Sequence, residues 1–518
     1  MPRLAFSRRF VIWSLAIAVT GVIAIGAVTW WLLRPDRLGP YLTAELTARL
    51  NLETSVDHIS LTLWPRPRIS GSGLRFRVPG RPELPPFIEI AKFWVDAGPY
   101  TIWKRRVDTV HIDGLKIAVP PSGSRPDLPD SKSPPPPPGA PESRVIVEHL
   151  VTHDAVLQFI PRRAGREPLT FQIHELKLDD LGFTRAIPFS TKLTNPVPTG
   201  LVDTHGTFGP WRGDDPGETP VAGDYTFTNA DLSTINGIGG ILQSKGKYEG
   251  RLTKVNTIGD ADVADFSLDL GGKPVPLKTR FHTIVDATDG STRLERVDAQ
   301  MRNTSFTVWG MIANLSGPGR HDVNLAVDIN QGRIEDLLAL SIDGPPLLTG
   351  NVSLQGKLSL PPGPTKVRKR LNMTGNFNLA RGQFTDPAVQ NRLRELSRRS
   401  QGKAPEEDPG RVLTSLQGHF TLRSAVLTLP DLSFQVPGAA VNLAGTYKLD
   451  GEEIDFSGTL KMQASMSQAV GGFKSIFIKP FDRLFRGKGA GTVLPIKITG
   501  TRSQPKMGVE MGKVFKEP

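Results

Sequence analysis

Cysteine is absent from all 518 residues, which excludes a disulfide framework and any thiolate metal site. That absence does not assign a compartment, although it is compatible with an oxidising one. Catalytic patterns are missing as well. The cluster Gly237, Gly239 and Gly240 does not complete a dinucleotide fingerprint, and no Walker pattern occurs. The run Gly487, Gly489, Gly491 lacks the Lys-Ser/Thr that would hold phosphate, and no Gly-x-Ser-x-Gly elbow is found. Carboxylates are scattered, with no pair placed for acid/base work. Glu148, His149 and His153 have the look of a metal site, but His at i and i+4 share a face only on a helix. Val145, Val147, Val151, Val156 and Phe159 read instead as strand, which makes the two His a solvent-facing pair. The expectation is a protein that is not an enzyme and holds no metal or cofactor.

One long apolar stretch also lacks charge. Val11 to Leu33 carries no charged residue, and 23 residues at ~1.5 Å each cross a bilayer core of about 30 Å. A cleaved signal peptide is the competing reading, with Arg3, Arg8 and Arg9 as its basic region and Ala24 and Gly26 near a cleavage site. Its apolar stretch would be only ~7–15 residues, whereas this one continues through Trp30, Trp31, Leu32 and Leu33. The Trp pair suits an interfacial belt. The reading is an uncleaved anchor over 10–33, with Val11, Trp13, Trp30, Trp31 and Leu33 among its membrane residues. Three Arg precede it, against Arg34 and Arg37 offset by Asp36 after it. That bias keeps the tail 1–9 in the cytoplasm and places the body across the membrane, in the periplasm of a bacterium. Lys plus Arg outnumber Asp plus Glu by 63 to 51, a net +12, which outside the cytoplasm points to anionic lipid headgroups rather than nucleic acid. Solubility alone is the other explanation of that charge.

What remains is strand pattern. Ile59, Leu61 and Leu63 alternate with Ser60 and Thr62, and Leu74, Phe76 and Val78 repeat the pattern within a section over 34–120. Residues 121–143 form a loop or linker with five consecutive prolines, Pro134 to Pro138, which cannot enter a sheet interior. Strands resume over 144–366: Phe266, Leu268 and Leu270 alternate with Ser267 and Asp269, and Val323, Leu325, Val327 and Ile329 with Asn324, Ala326 and Asp328. In the last section, 367–518, Ile454, Phe456, Leu460 and Met462 share one parity with Gly458. A loose repeat of Gly-x-aromatic or Val-x-Leu or Phe occurs at Gly223-Tyr225-Phe227, Gly350-Val352-Leu354, Gly375-Phe377-Leu379, Gly418-Phe420-Leu422 and Gly445-Tyr447-Leu449. It suggests one strand type opened by a glycine that turns or bends the edge. Asp386-Pro387 predicts a helix start, with Val389, Leu393 and Leu396 at helical spacing. The basic, Phe-rich stretch from Ala469 to Arg486 reads as a cap on a sheet end or as an interfacial segment.

Alternation of this kind buries one sheet face, either in a closed sandwich or along a curled trough that receives acyl chains. A chain of this length exceeds what one closed core usually supports, which favours the trough. LGPYLTAELTARLNLETSVDHISLTLWPRPRISGSGLRFR after the anchor resembles the start of AsmA-like proteins. GHFTLRSAVLTLPDLSFQVPGAAVNLAGTYKLDGEEIDFSGTL and GGFKSIFIKPFDRLFRGKGAGTVLPIKITGTRSQP are similar to the C-terminal part of the same family. The middle, with GTFGPW and LPPGPTKVRKRLNMTGNFNLARGQF, is similar to it too. The resemblance implies a mostly β protein: a transmembrane helix, then a long curved antiparallel groove with a few short helices. It also implies an inner-membrane-anchored periplasmic protein tied to phospholipid traffic and outer-membrane homeostasis. Its partners would be phospholipid acyl chains, with a periplasmic or outer-membrane protein partner left open. The residues proposed to meet lipid are Phe266, Leu268, Leu270, Leu325, Val327, Phe377, Leu379, Phe420 and Leu422. The second reading is an assembly factor for outer-membrane proteins, offering its strand edges to clients and carrying no lipid.

Overall fold

The computed structural model is mostly β. It describes residues 43, 53–62, 68–77, 85–96, 106–119, 146–160, 168–181, 185–210, 212, 215–235, 237–314, 321–403, 412–463, 493–501 and 504–509. The anchor residues Val11, Trp13, Trp30, Trp31 and Leu33, the Pro-rich segment and the stretch 469–486 lie outside the described residues. Among the described residues, no helix is long and apolar enough to cross a membrane. The chain divides into two compact units, Met1–Pro196 with Asp203–Gly223 and Val197–Val202 with Asp224–Pro518.

The first unit holds β1 (Glu53–Ser55), β2 (His58–Thr62), β3 (Arg68–Arg77), β4 (Ile88–Asp96), β5 (Arg106–Val119), β6 (Ile146–Phe159), β7 (Leu169–Leu181) and β8 (Ile187–Pro196). Apolar residues meet across its ladders: Ile90 faces Leu115, Ala155 faces Ile173, and Ile173 faces Leu193. Ile90, Ile112, Leu115, Ala155, Ile173 and Leu176 form a buried cluster against which Leu193 packs, each large buried side chain contributing about 1.5–3 kcal/mol. One ladder departs from the expected antiparallel sheet, since β5 and β6 run parallel, with Val110 opposite Leu150 and Ile117 opposite Leu157. Side-chain alternation carries no direction, so the sequence pattern is the same either way. The join from Val119 to Ile146 connects opposite ends of that pair, and it has the length a parallel crossover requires.

Strands β9 (Thr199–Phe208) and β10 (Pro220–Asp231) give residues to both units. The second unit continues with β11 (Ile238–Gly239), β12 (Ile241–Arg251), β13 (Lys254–Leu268), β14 (Val275–Val285), β15 (Thr292–Met301), β16 (Thr304–Asn314), β17 (His321–Arg333), α1 (Ile334–Ala339) and β18 (Leu348–Leu360). It ends with α2 (Val367–Arg370), β19 (Asn372–Phe384), α3 (Pro387–Ser400), β20 (Thr414–Arg423), β21 (Val426–Val436), β22 (Ala439–Lys448), β23 (Glu453–Met462), β24 (Val493–Thr501) and β25 (Pro505–Val509). From β12 onward every strand pairs antiparallel with the next in sequence.

Helices α1 and α3 lie at one end of this meander and α2 at the other. As the sequence predicts, α3 starts on Asp386, whose carboxylate accepts from the Ala388 amide at 2.7 Å, with Pro387 in the first turn. Its Leu393 and Leu396 pack on Val412, Val436 and Ala439, while Ser397 donates to the Pro437 carbonyl at 2.8 Å. At α1, Asp336 is 2% exposed and accepts from the Asn303 amide (3.1 Å) and the Thr304 hydroxyl (2.9 Å). Asp336→Ala removes the acceptor of the Asn303 amide and of the buried Thr304 hydroxyl. We expect it to cost about 2–3 kcal/mol, read as a lower urea midpoint.

Candidate functional site

The ladder register of the second unit sorts its residues onto two faces. One row runs Gly246–Gly259–Phe281–Val297–Val308–Val327–Gly356–Gly375–Phe420, each residue opposite the next. Its neighbour runs Leu294–Gly310–Leu325–Leu358–Met373–Leu422–Leu427–Tyr447–Ile454–Gly500. Neither contains a charged residue. The opposite face carries Lys245–Asp260–Arg280–Asp298–Thr307–Asp328 in register, a charge ladder with Arg280 3.2 Å from Asp260. Lys278 lies 3.7 Å from Asp262 beside it. These pairs are exposed, contribute little to stability, and mark the solvent side. A hollow of about 930 Å³ lies along that ladder and the parallel row Gln243–Asp262–Lys278–Gln300–Ser305.

Glycines on the apolar face show which way the sheet bends. A Cβ built on Gly246, Gly310, Gly375, Gly445 or Gly458 would lie 2.6–2.9 Å from a Cα of the adjoining strand. In a flat antiparallel pair, facing Cβ atoms are about 4.5–5.5 Å apart. Each strand is therefore rolled so that its apolar-face substituent points into its neighbour, the glycine kink that curves a sheet toward that face. Register shifts recur as well, at Leu294/Val297, Ile329/Gly332 and Leu379/Gly382 among others. A long-range contact agrees with this curl. The turn holding Gly237 and helix α2 sit at opposite ends of strands that are six ladders apart. Yet a Cβ on Gly237 would touch Val367 at 3.0 Å. Twist of ~20–25° per ladder accumulates to on the order of 120–150°, which carries one end over the other.

Burial along the apolar rows is uneven. Val275, Met301, Ile329 and Val352 are fully buried toward the α1 and α3 end, and Val255, Leu371 and Ala425 toward the other. In mid-strand, Phe281, Val308, Leu325, Val327, Leu358, Phe377 and Phe420 are only half-buried. The face is thus closed at its ends and accessible between them. Comparison of the chain with family models, curated proteins and solved structures gives no match. The arrangement itself must carry the functional reading.

Most of the residues proposed for lipid fall on this face. Leu325, Val327, Phe377 and Phe420 lie half-buried in its middle, and Phe266 and Leu268 rejoin it after a bulge past Val263. Leu379, at 2% exposed, and Leu422 are covered by their neighbours. Leu270 lies beyond the strand, in the turn after Leu268, where its side chain is 37% exposed. The expected alternation stops there because the chain leaves the ladder, with the Asp269 amide donating to the Gly237 carbonyl. The glycine repeat takes a different place from the one expected. Gly375, Gly418 and Gly445 stand inside their strands on the apolar face, not at strand entrances. The missed signal was their shared parity with the aromatic residue that follows.

Polar atoms on this face are few. Tyr225 lies 3.1 Å from the Ser244 hydroxyl, and burial pushes its phenol pKa up. His321 carries an Nδ1 that is buried without a hydrogen-bond partner, and burial holds its pKa below the usual 6.5. The folded state therefore disfavours the imidazolium. Stability is complete above about pH 6.5 and falls as pH drops through that value. His321→Leu should flatten the decline in melting temperature between pH 7 and 5. In the first unit, His149 and His153 are exposed on β6, and His149 meets Asp179 at 2.8 Å, which raises its pKa.

Proposed function

We propose that this chain is a lipid-binding or lipid-transfer protein, and that acyl chains lie along the apolar face of its second unit. The observation that carries this reading is the combination of two uncharged rows across many strands with mid-strand side chains left half-buried. Soluble proteins rarely leave a continuous apolar surface of such extent without an occupant. Each methylene moved from water onto it contributes about 0.8 kcal/mol, and no covalent step is needed. The glycine kinks support the same reading, because they curve the sheet around the space an acyl chain would take.

Within this proposal the uncharged stretch Val11–Leu33 tethers the protein to the bacterial inner membrane, with its bulk in the periplasm. The role is phospholipid transport and outer-membrane homeostasis, in keeping with the resemblance to AsmA-like proteins. The test is to purify the full chain in detergent, extract it and measure phospholipid per chain by mass spectrometry. Near-stoichiometric phospholipid is expected. A lipid-free chain with client peptides on its strand edges would overturn the reading in favour of an assembly factor.

A further inference from the structure

The polar face of the second unit carries one place unlike the rest of it. Between β16 and β20 lies a hollow of about 450 Å³, within the size range of small-molecule sites. Trp309 forms one wall, 43% exposed, with Met311 two residues on along the same face 38% exposed. Its ladder partner is Ala326, small enough to leave the indole uncovered, and Lys357 stands opposite Ala326 on the next strand. Arg423, next to the Met373–Leu422 pair, lines the far side together with Asn372.

The electrostatics differ from those of the neighbouring ladder. There, Arg280 and Lys278 each have an aspartate, and Lys448 has Glu453 at 2.6 Å. Lys357 and Arg423 are exposed and, among the described residues, form no ion pair. No carboxylate lines the hollow; Asn324, Ser359 and Thr374 supply neutral donors and acceptors.

We propose that this hollow binds an acidic sugar, a pyranose bearing phosphate or carboxylate. An exposed indole is a platform for the apolar face of a sugar ring. Two unpaired cations suit one anionic substituent, with Arg423 able to bind it through paired N–H groups. The amide and hydroxyls fit the ring hydroxyls, which an apolar ligand would leave unmatched. Trp309, Lys357 and Thr374 stand on the opposite parity from the apolar row, of which Gly310, Leu325, Leu358 and Met373 also line the hollow, and the proposal does not depend on the lipid reading.

The test titrates the full chain in detergent with glucose 6-phosphate, glucuronate, glucose and inorganic phosphate, read by saturation-transfer NMR. Both acidic pyranoses should bind saturably, and glucose at least roughly tenfold more weakly, since tenfold is only about 1.4 kcal/mol. Trp309→Ala, and separately Lys357→Gln with Arg423→Gln, should each weaken the acidic sugars by a similar factor. These side chains are exposed, and Trp309→Phe, which keeps a ring, should retain most of the binding. Glucose binding as well as its phosphate would overturn the proposal. So would inorganic phosphate matching the sugar phosphate, or wild-type affinity in Trp309→Ala.

Discussion

Replacing Gly458 with valine should unfold the second unit more effectively than any surface substitution of similar size. The added Cβ would stand 2.9 Å from the Cα of Leu443 and closer still to the Asn442 carbonyl oxygen, both backbone atoms of the adjoining strand. No rotamer relieves a clash with a main chain held by ladder hydrogen bonds on both sides of β23. Relief requires the strand to roll back, which flattens the sheet where it is kinked. We expect a loss of roughly 3–5 kcal/mol in urea unfolding and a fall in soluble yield. Gly344→Ala is the control. A Cβ there meets nothing within 4 Å, and its effect should stay within about 0.5 kcal/mol.

The second large effect concerns cargo. Leu325 and Val327 lie on adjacent apolar rows, opposite Gly310 and Val308 on one side and Leu358 and Gly356 on the other. Replacing both with aspartate sets two carboxylates where acyl chains would lie. Covering an ionised carboxylate with hydrocarbon costs far more than the 1.4 kcal/mol that separates tenfold affinities. Phospholipid per chain should fall at least roughly tenfold, measured by mass spectrometry on the detergent-purified protein. Asn376→Asp with Asn378→Asp makes the same charge change on the polar face of β19 and should leave the lipid content unchanged. Equal lipid in both double variants would refute the assignment of the apolar face to lipid.

Much of this fold was legible because a strand writes its two faces into alternate residues. Val323, Leu325, Val327 and Ile329 announced both their strand and their shared side, and the register confirms both. Asp386-Pro387 announced α3 through cap chemistry, which is local and so readable. Strand direction was not readable, which is why the parallel β5–β6 ladder departs from the antiparallel sheet expected there. The glycines are visible in the sequence but read there as strand entrances, because their role depends on how near the next backbone comes, a property of the curled sheet alone. The place of Trp309 is not readable in the sequence for a related reason. In Thr304–Asn314 apolar residues occupy both parities, and only the pairing with Ala326 assigns the indole to the polar side.

The next-neighbour ladders of the second unit have a consequence for how such a chain is made and altered. Each strand pairs with the segment synthesised just before it, so these ladders need no contact with distant sequence to form. By the same logic, gaining or losing one hairpin lengthens or shortens the sheet while every other register stays intact. Reach becomes a quantity that evolution can adjust two strands at a time, at about 4.8 Å per strand.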